Sequence, residues 1–363
     1  MARGGRRTSR NLITNVEKIR EKYRKIFENK TKNYDVNGEM ISKKIPIHFG
    51  GISDPFANNN ISNISKKLLE VLHEYDYPTV ISTKNPNQLI NDKTIKILKD
   101  MKNLIVQISL STSNERELNK IEPNTSPPKE RIKCIARLIN EDINVIIRLQ
   151  PLFVQWIDEI RNILIPKLGS VGCSHIVVEH LKLPVERNLS LFCRMLDKMN
   201  WNAYEFYKKN KAILVGREWI LPNQFKWNNL QPIVNKIHDC EMSYGSGDYG
   251  LNHLGDTNCC CGIDKYNGFS NWFKGNFSNI IKLHLGKIVT FEDIERCWFP
   301  SKSIKMYMNS NCRLPNKNDI LSHMRRKWNS PGTVNAPDSY LGVFFKGEFD
   351  EHNNCVYEVN KLI

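Results

Sequence analysis

Short apolar runs and longer amphipathic stretches take turns along the first half of the chain. The apolar runs cover residues 45–49, 78–84, 104–111, 144–151 and 174–179, with Ile and Val prominent in them. Runs this short, bounded by turn residues, predict buried strands. Between them, residues 64–75, 92–101, 129–140 and 153–164 repeat apolar side chains at helical spacing, which predicts helices with one buried face. Residues 12–29 predict a further helix ahead of the first strand, through Leu12, Val16, Ile19, Tyr23, Ile26 and Phe27, and residues 33–38 predict a loop. Strand and helix recur at about 25–40 residues per unit, the rhythm of βαβ units and a parallel sheet. A regular series of such units begins with a strand. Here a helix stands first, so the series reads as one that starts inside a unit.

Each predicted strand ends in polar groups. Gly50, Gly51 and Ser53, followed by Asp54, close the first; Ser82, Thr83 and Lys84 the second; Ser109 and Ser111 the third; Arg148 and Gln150 the fourth. Ligands of α/β folds bind at the carboxyl ends of parallel strands, so these groups predict one polar ligand site at a shared mouth. The two glycines would serve an ordinary strand-to-helix turn equally well.

The second half reads differently. A strand is expected near residues 212–215, a helix over 228–240, and a β-hairpin over 340–359 turning at 350–354. Seven of the ten cysteines lie from 240 to 355. Cys259, Cys260 and Cys261 are consecutive and followed by Gly262; with Cys240, and with His253 between, they form a candidate second metal site. Buried thiols without metal are the alternative, since free Cys is often buried. We divide the chain at residue 184, with the β/α series in 1–184 and a Cys-rich accessory region in 185–363.

Composition adds three constraints. The 363 residues carry 40% hydrophobic and 25% charged side chains, as a globular protein does. No apolar run approaches the roughly 18 residues of a membrane span, and the basic start lacks the apolar core of a signal peptide, so a cytoplasmic protein is expected. The net charge of +15 suits an anionic partner such as nucleic acid or a nucleotide, or simply a solvated Lys-rich surface. Aromatic residues beside basic ones at 270–275 and 324–328 could stack on bases; snorkelling Lys and Arg next to surface Trp would look the same.

Five segments, taken in order, resemble the radical S-adenosylmethionine superfamily in its spore-photoproduct-lyase-like branch. They are Ile-His-Phe-Gly-Gly-Ile-Ser-Asp-Pro-Phe at 47–56, Tyr-Pro-Thr-Val-Ile-Ser-Thr-Lys at 77–84, Val-Gln-Ile-Ser-Leu-Ser at 106–111, Ile-Glu-Pro at 121–123 with Glu130 and Arg131, and Val-Ile-Ile-Arg-Leu-Gln-Pro-Leu at 145–152. The resemblance covers roughly residues 1–184. It implies an α/β fold, a partial (β/α)6 barrel of TIM type lacking its first strand, with an α+β C-terminal region. It implies S-adenosylmethionine and a [4Fe-4S] cluster as cofactors, and a flavodoxin or ferredoxin as electron donor. By position, Gly50 and Gly51 match the motif that meets the methionine amino group; Lys84 and Ser109 match residues that contact the carboxylate and ribose; Arg148 and Gln150 match the fourth polar cluster. The activity implied is reductive cleavage of S-adenosylmethionine to a 5′-deoxyadenosyl radical, with nucleic acid a candidate substrate.

One departure stands against this. The family's cluster is held by Cys-x-x-x-Cys-x-x-Cys, and that spacing occurs nowhere in the chain. Met1-Ala2-Arg3 stands where the residues after the triad are expected, so the reading is of a chain that begins just downstream of the cluster loop and does not cleave the cofactor as it stands. A degenerate paralogue or a non-catalytic nucleic-acid-binding module is the alternative.

Overall fold

The β-branched runs do form strands, and they lie side by side in the order in which they occur. The computed structural model describes residues 15–29, 36–51, 53–185, 195–298 and 320–361. Its strands are β1 (Ile47–Phe49), β2 (Thr79–Thr83), β3 (Leu104–Ser109), β4 (Val145–Leu152), β5 (His175–His180), β6 (Leu183–Pro184), β7 (Ile213–Val215), β8 (Glu218–Ile220), β9 (Ser243–Ser246), β10 (Ile288–Val289), β11 (Val343–Phe349) and β12 (Cys355–Val359). One sheet of six strands runs β1-β2-β3-β4-β5-β9, every pair parallel. The first six helices are α1 (Val16–Phe27), α2 (Val36–Ser42), α3 (Asn59–Glu74), α4 (Asp92–Asp100), α5 (Glu115–Ile121) and α6 (Pro128–Asn140). Asparagine starts four of them: Asn15, Asn58, Asn91 and Asn114 accept from the N–H three residues on, at 3.0–3.2 Å, and so satisfy a donor the helix leaves unpaired.

Parallel strands that stay adjacent in chain order, with crossovers of one hand, keep their helices on one face of the sheet. The packing shows it. Ile81, Val106, Ile147, Val178 and Tyr244 pack with Leu69, Leu98, Ile135, Leu164 and Leu230 of the helical layer. The alternate residues Val80, Ile105 and Ile146 face the opposite side, where Cys259, Ile263 and Phe269 cover them. A sheet clothed this way curls about its helix-free face, as in a β/α barrel. Among the described residues it is open, with β1 and β9 at its two edges. The fold is therefore α/β, a partial barrel, with smaller antiparallel sheets β6-β8-β7 and β10-β12-β11 in the C-terminal half. The hairpin β11–β12 turns at 350–354 as expected, and Trp328, Phe291 and Tyr357 fill a core of their own beneath it.

Four departures from the expected elements stand out. The sheet's sixth strand, Ser-Tyr-Gly-Ser, carries no β-branched residue, and it lies beyond the division expected at 184. Residues 36–42 are helical where a loop was expected to run through 38; residues 33–35 lie outside the described residues, as do 12–14 of the first helix. The helix expected over 153–164 extends to Ser170, and its turns widen to π geometry over Ile160–Leu164, directly before Pro166, which has no N–H to give. The helix expected from 228 starts earlier, at Asn223. Among the described residues, no helix is long and apolar enough to cross a membrane.

Candidate functional site

The ends of β2 and β3 are tied together by one buried carboxylate. Glu122, at the end of α5, takes Lys84 on one oxygen and Arg131 Nη2 on the other at 2.9 Å. Arg131 is fully buried; its Nε donates to the Ser126 carbonyl at 2.7 Å and its Nη1 to the Ser109 carbonyl at 2.6 Å. Burial alone would raise the Glu122 carboxyl, but Lys84 and Arg131 outweigh it and hold it below its ordinary value. Lys84 is thus engaged by the protein itself, and it is the backbone carbonyl of Ser109 that makes the contact, not its hydroxyl.

The loop after β1 is fastened to the same place. Asp54 Oδ1 accepts from Thr83 Oγ1 at 2.8 Å and from the Phe56 N–H at 2.9 Å, and Oδ2 from the Lys84 N–H at 2.7 Å. Gly50 has φ +112°, and a Cβ there would sit 2.2 Å from the Ser82 carbonyl oxygen; only glycine lets β1 end so close to β2. Gly51 and Ser53 are exposed on this loop. Asp54 and Gly50 therefore build the rim.

A second group lies along the inner face. Ser82 Oγ donates to Gln107 Oε1 at 2.9 Å and lies 2.6 Å from His48 Nε2. Since the serine proton goes to Gln107, His48 donates from Nε2. Arg148 Nε donates to Gln150 Oε1 at 2.7 Å, and its Nη1 reaches Ser82 Oγ at 3.4 Å. Glu179 pairs with Lys182 beside them. Among the described residues Arg148 makes no salt bridge, whereas Lys84, Arg131 and Lys182 each do. So the structure brings Arg148 and Gln150 together with Ser82, and joins Lys84, Asp54 and the Ser109 backbone at the rim. His48, Gln107 and the Glu179–Lys182 pair were not anticipated. Their signal was present: Ser82, Gln107 and Arg148 each interrupt an apolar strand at the alternation that faces inward. At the rim, Lys84, Ile121, Glu122, Pro123, Asn124, Thr125 and Pro151 line a cleft of about 200 Å³.

The four-cysteine site is not assembled. Cys240 caps the helix Asn223–Asp239 and packs with the helical layer, against Gly169. Cys259 and Cys261 belong to the inner face, so the sheet separates them from Cys240. Among the described residues no group of three or more His, Cys, Asp or Glu is arranged to hold a metal; Cys193 and Cys312 lie outside them. A [4Fe-4S] cluster takes thiolates. With Cys240 across the sheet from Cys259 and Cys261, the four thiols do not converge on one such cluster.

The three-cysteine loop is instead clamped to the sheet. His175 Nε2 donates to the Cys260 carbonyl at 3.1 Å and Nδ1 faces Ser243 Oγ at 2.8 Å; burial brings this histidine down to about 4, so it is neutral at pH 7. A Cβ on Gly245 would lie 1.8 Å from the Cys260 carbonyl oxygen. Gly245→Ala is therefore expected to cost about 1–3 kcal/mol through overpacking, read as a lower midpoint in urea. An unchanged midpoint would show that the loop does not need this approach.

The aromatic–basic segment at 324–328 is not a stacking platform. Trp328 is fully buried and donates from Nε1 to the Cys355 carbonyl at 2.7 Å. The side chain of Trp272, in the other such segment, lies outside the described residues.

No family model and no curated protein matches the chain. Solved structures do. Spore photoproduct lyase complexed with dinucleoside spore photoproduct is similar at 13% identity and a TM-score of 0.44, over 62% of this chain and 64% of that one. Streptococcus suis SuiB bound to S-adenosylmethionine is similar at 17% identity and a TM-score of 0.34, over 54% and 44%. The match spans less than two thirds of the lyase and under half of SuiB. Over part of its length, the chain is similar in fold to spore photoproduct lyase and to SuiB.

Proposed function

We propose that the chain binds S-adenosylmethionine, or an adenosyl amino acid like it, at the carboxyl ends of β2–β4. The observation that carries this is Arg148, the inner-face cation that no carboxylate among the described residues neutralises. Gln150 and Ser82 fix its guanidinium through Nε and Nη1, so it is oriented before a ligand arrives. A ligand carboxylate would complete the pair, as an Arg–carboxylate contact does elsewhere. The cleft of about 200 Å³ is small beside the ~300–1,000 Å³ of most small-molecule sites, so the ligand would extend from it over the inner face. Gly247 lets Gln150 pack close: a Cβ on it would meet Gln150 Nε2 at 2.4 Å.

The act proposed is binding. Reductive cleavage, which the sequence resemblance implies, needs a cluster that the cysteines of the described residues do not fit. Equilibrium dialysis of the chain against S-adenosylmethionine tests the reading. Arg148→Ala is expected to weaken binding about 10–100-fold, since a hydrogen bond to a charged group contributes roughly 1.5–3 kcal/mol. Equal affinity of wild type and variant, or no binding by wild type, would reject it.

The net charge of +15 favours a second reading, a nucleic-acid-binding protein. Salt-dependent binding of single-stranded RNA or DNA that Arg148→Ala leaves unchanged, with no uptake of S-adenosylmethionine, would select it instead.

A further inference from the structure

The loop over the inner face holds two thiols that the ligand site does not use. Cys259 Sγ lies 3.9 Å from Cys261 Sγ and donates to Asp264 Oδ1 at 3.0 Å. Asp264 also accepts the Asn258 N–H at 2.9 Å and the Cys259 N–H at 3.3 Å, so it fixes the backbone just ahead of the pair. His175 pins the Cys260 carbonyl between them, and Gly262, at φ +63°, turns the chain directly after. The segment is thus held before, within and after, with the sulfurs of residues 259 and 261 turned toward each other.

We propose that Cys259 and Cys261 form a reversible dithiol–disulfide site, oxidised by a small-molecule disulfide of the glutathione type. Closing the pair takes the sulfurs from 3.9 Å to the ~2.05 Å of a disulfide, a matter of side-chain rotation. The neighbouring pair Cys260–Cys261 is the poorer choice. Adjacent Cα atoms are ~3.8 Å apart, short of the ~4.4–6.8 Å that disulfides span.

The exchange balances. The Cys261 thiol gives its proton to water, and its thiolate attacks one sulfur of the oxidant, whose S–S bond breaks; the departing thiolate takes up a proton. Cys259, giving its proton to Asp264, then attacks the Cys261 sulfur of the mixed disulfide and expels the second small thiolate, which is protonated in turn. Two cysteine thiols give up two electrons and two protons, and one disulfide becomes two thiols. Cys261 is half-buried, which leaves an approach for a small oxidant.

The test equilibrates the full chain with reduced and oxidised glutathione, in the presence of a chelator, then alkylates, digests and sequences the peptides by mass spectrometry. The expected product has lost two hydrogen atoms, gives no backbone fragments between Cys259 and Cys261, and reverts with dithiothreitol. Cys260→Ser should keep the bridge; Cys259→Ser and Cys261→Ser should lose it. Failure of the wild-type chain to form it, or its persistence in Cys259→Ser, would overturn the proposal. The wild-type and Cys260→Ser arms decide the matter even where the other two variants fold poorly.

Discussion

Replacing Glu122 by alanine is expected to destabilise the protein by about 3–5 kcal/mol, the usual cost of removing one partner from a buried ion pair. The reason lies in what remains. Arg131 is fully buried and cannot shed its proton, so the variant leaves its charge inside the fold with only neutral acceptors, the Ser126 and Ser109 carbonyls and Thr125 Oγ1. Lys84→Ala should cost much less, because Lys84 is 22% exposed and water can attend to what it leaves. Glu122→Gln should fall between, keeping the shape while losing the charge. The dependence on pH has a definite sign. The folded carboxyl titrates below its reference value of 4.5, so its contribution is fully present above pH 4.5 and is lost as pH falls through the lower folded value. The gap in urea midpoint between wild type and Glu122→Gln should therefore shrink on acidification. A gap that is constant between neutral and strongly acid pH would show that the charge is not what Glu122 contributes.

The second large effect is expected at Asp248, which follows β9. Its side chain is 2% exposed; Oδ2 takes His180 Nδ1 at 2.7 Å and the His180 N–H at 3.1 Å, and Oδ1 takes Lys226 Nζ at 3.3 Å. Burial would raise this carboxyl, but His180 and Lys226 pull it far below the usual carboxylate range. One residue thus joins the end of β5, the turn after β9 and the helix Asn223–Asp239. Asp248→Ala is expected to cost about 3–5 kcal/mol, since it strands the Lys226 ammonium, itself only 4% exposed. Adding Lys226→Met should recover much of that loss, because an apolar side chain needs no partner there. Chemical denaturation of the single and double variants measures the recovery. If the double variant is no more stable than Asp248→Ala, the buried charge is not the cause.

These two carboxylates were unequally visible in the sequence. Glu122 and Arg131 both sit in segments that mark the resemblance, although nothing in their spacing says that they meet each other. Asp248 lies in a Gly-Ser-Gly-Asp run that carries no helical or strand periodicity. Its partners are 22 and 68 residues away in the chain, and only folding brings them within reach. Lys84 shows the opposite case. As a cation at a strand end it read as a ligand contact, whereas the fold commits it to Glu122.

The sequence by itself determined the parallel strands β1 to β5 and most of their helices, because short apolar runs and helical periodicity are local properties that tertiary contacts here reinforce. It also determined that polar groups gather at the strand ends, since every parallel strand delivers its carboxyl end to the same side. Only the tertiary structure decided the rest. It recruited the weakly patterned Ser243–Ser246 as the sixth strand, where His175 and Ser243 meet across β5 and β9. It sorted the cysteines to opposite faces of the sheet, and it left Arg148 without a carboxylate among the described residues. Each of these depends on which side chains lie opposite one another across the sheet, a relation between residues far apart in the chain that no local pattern records.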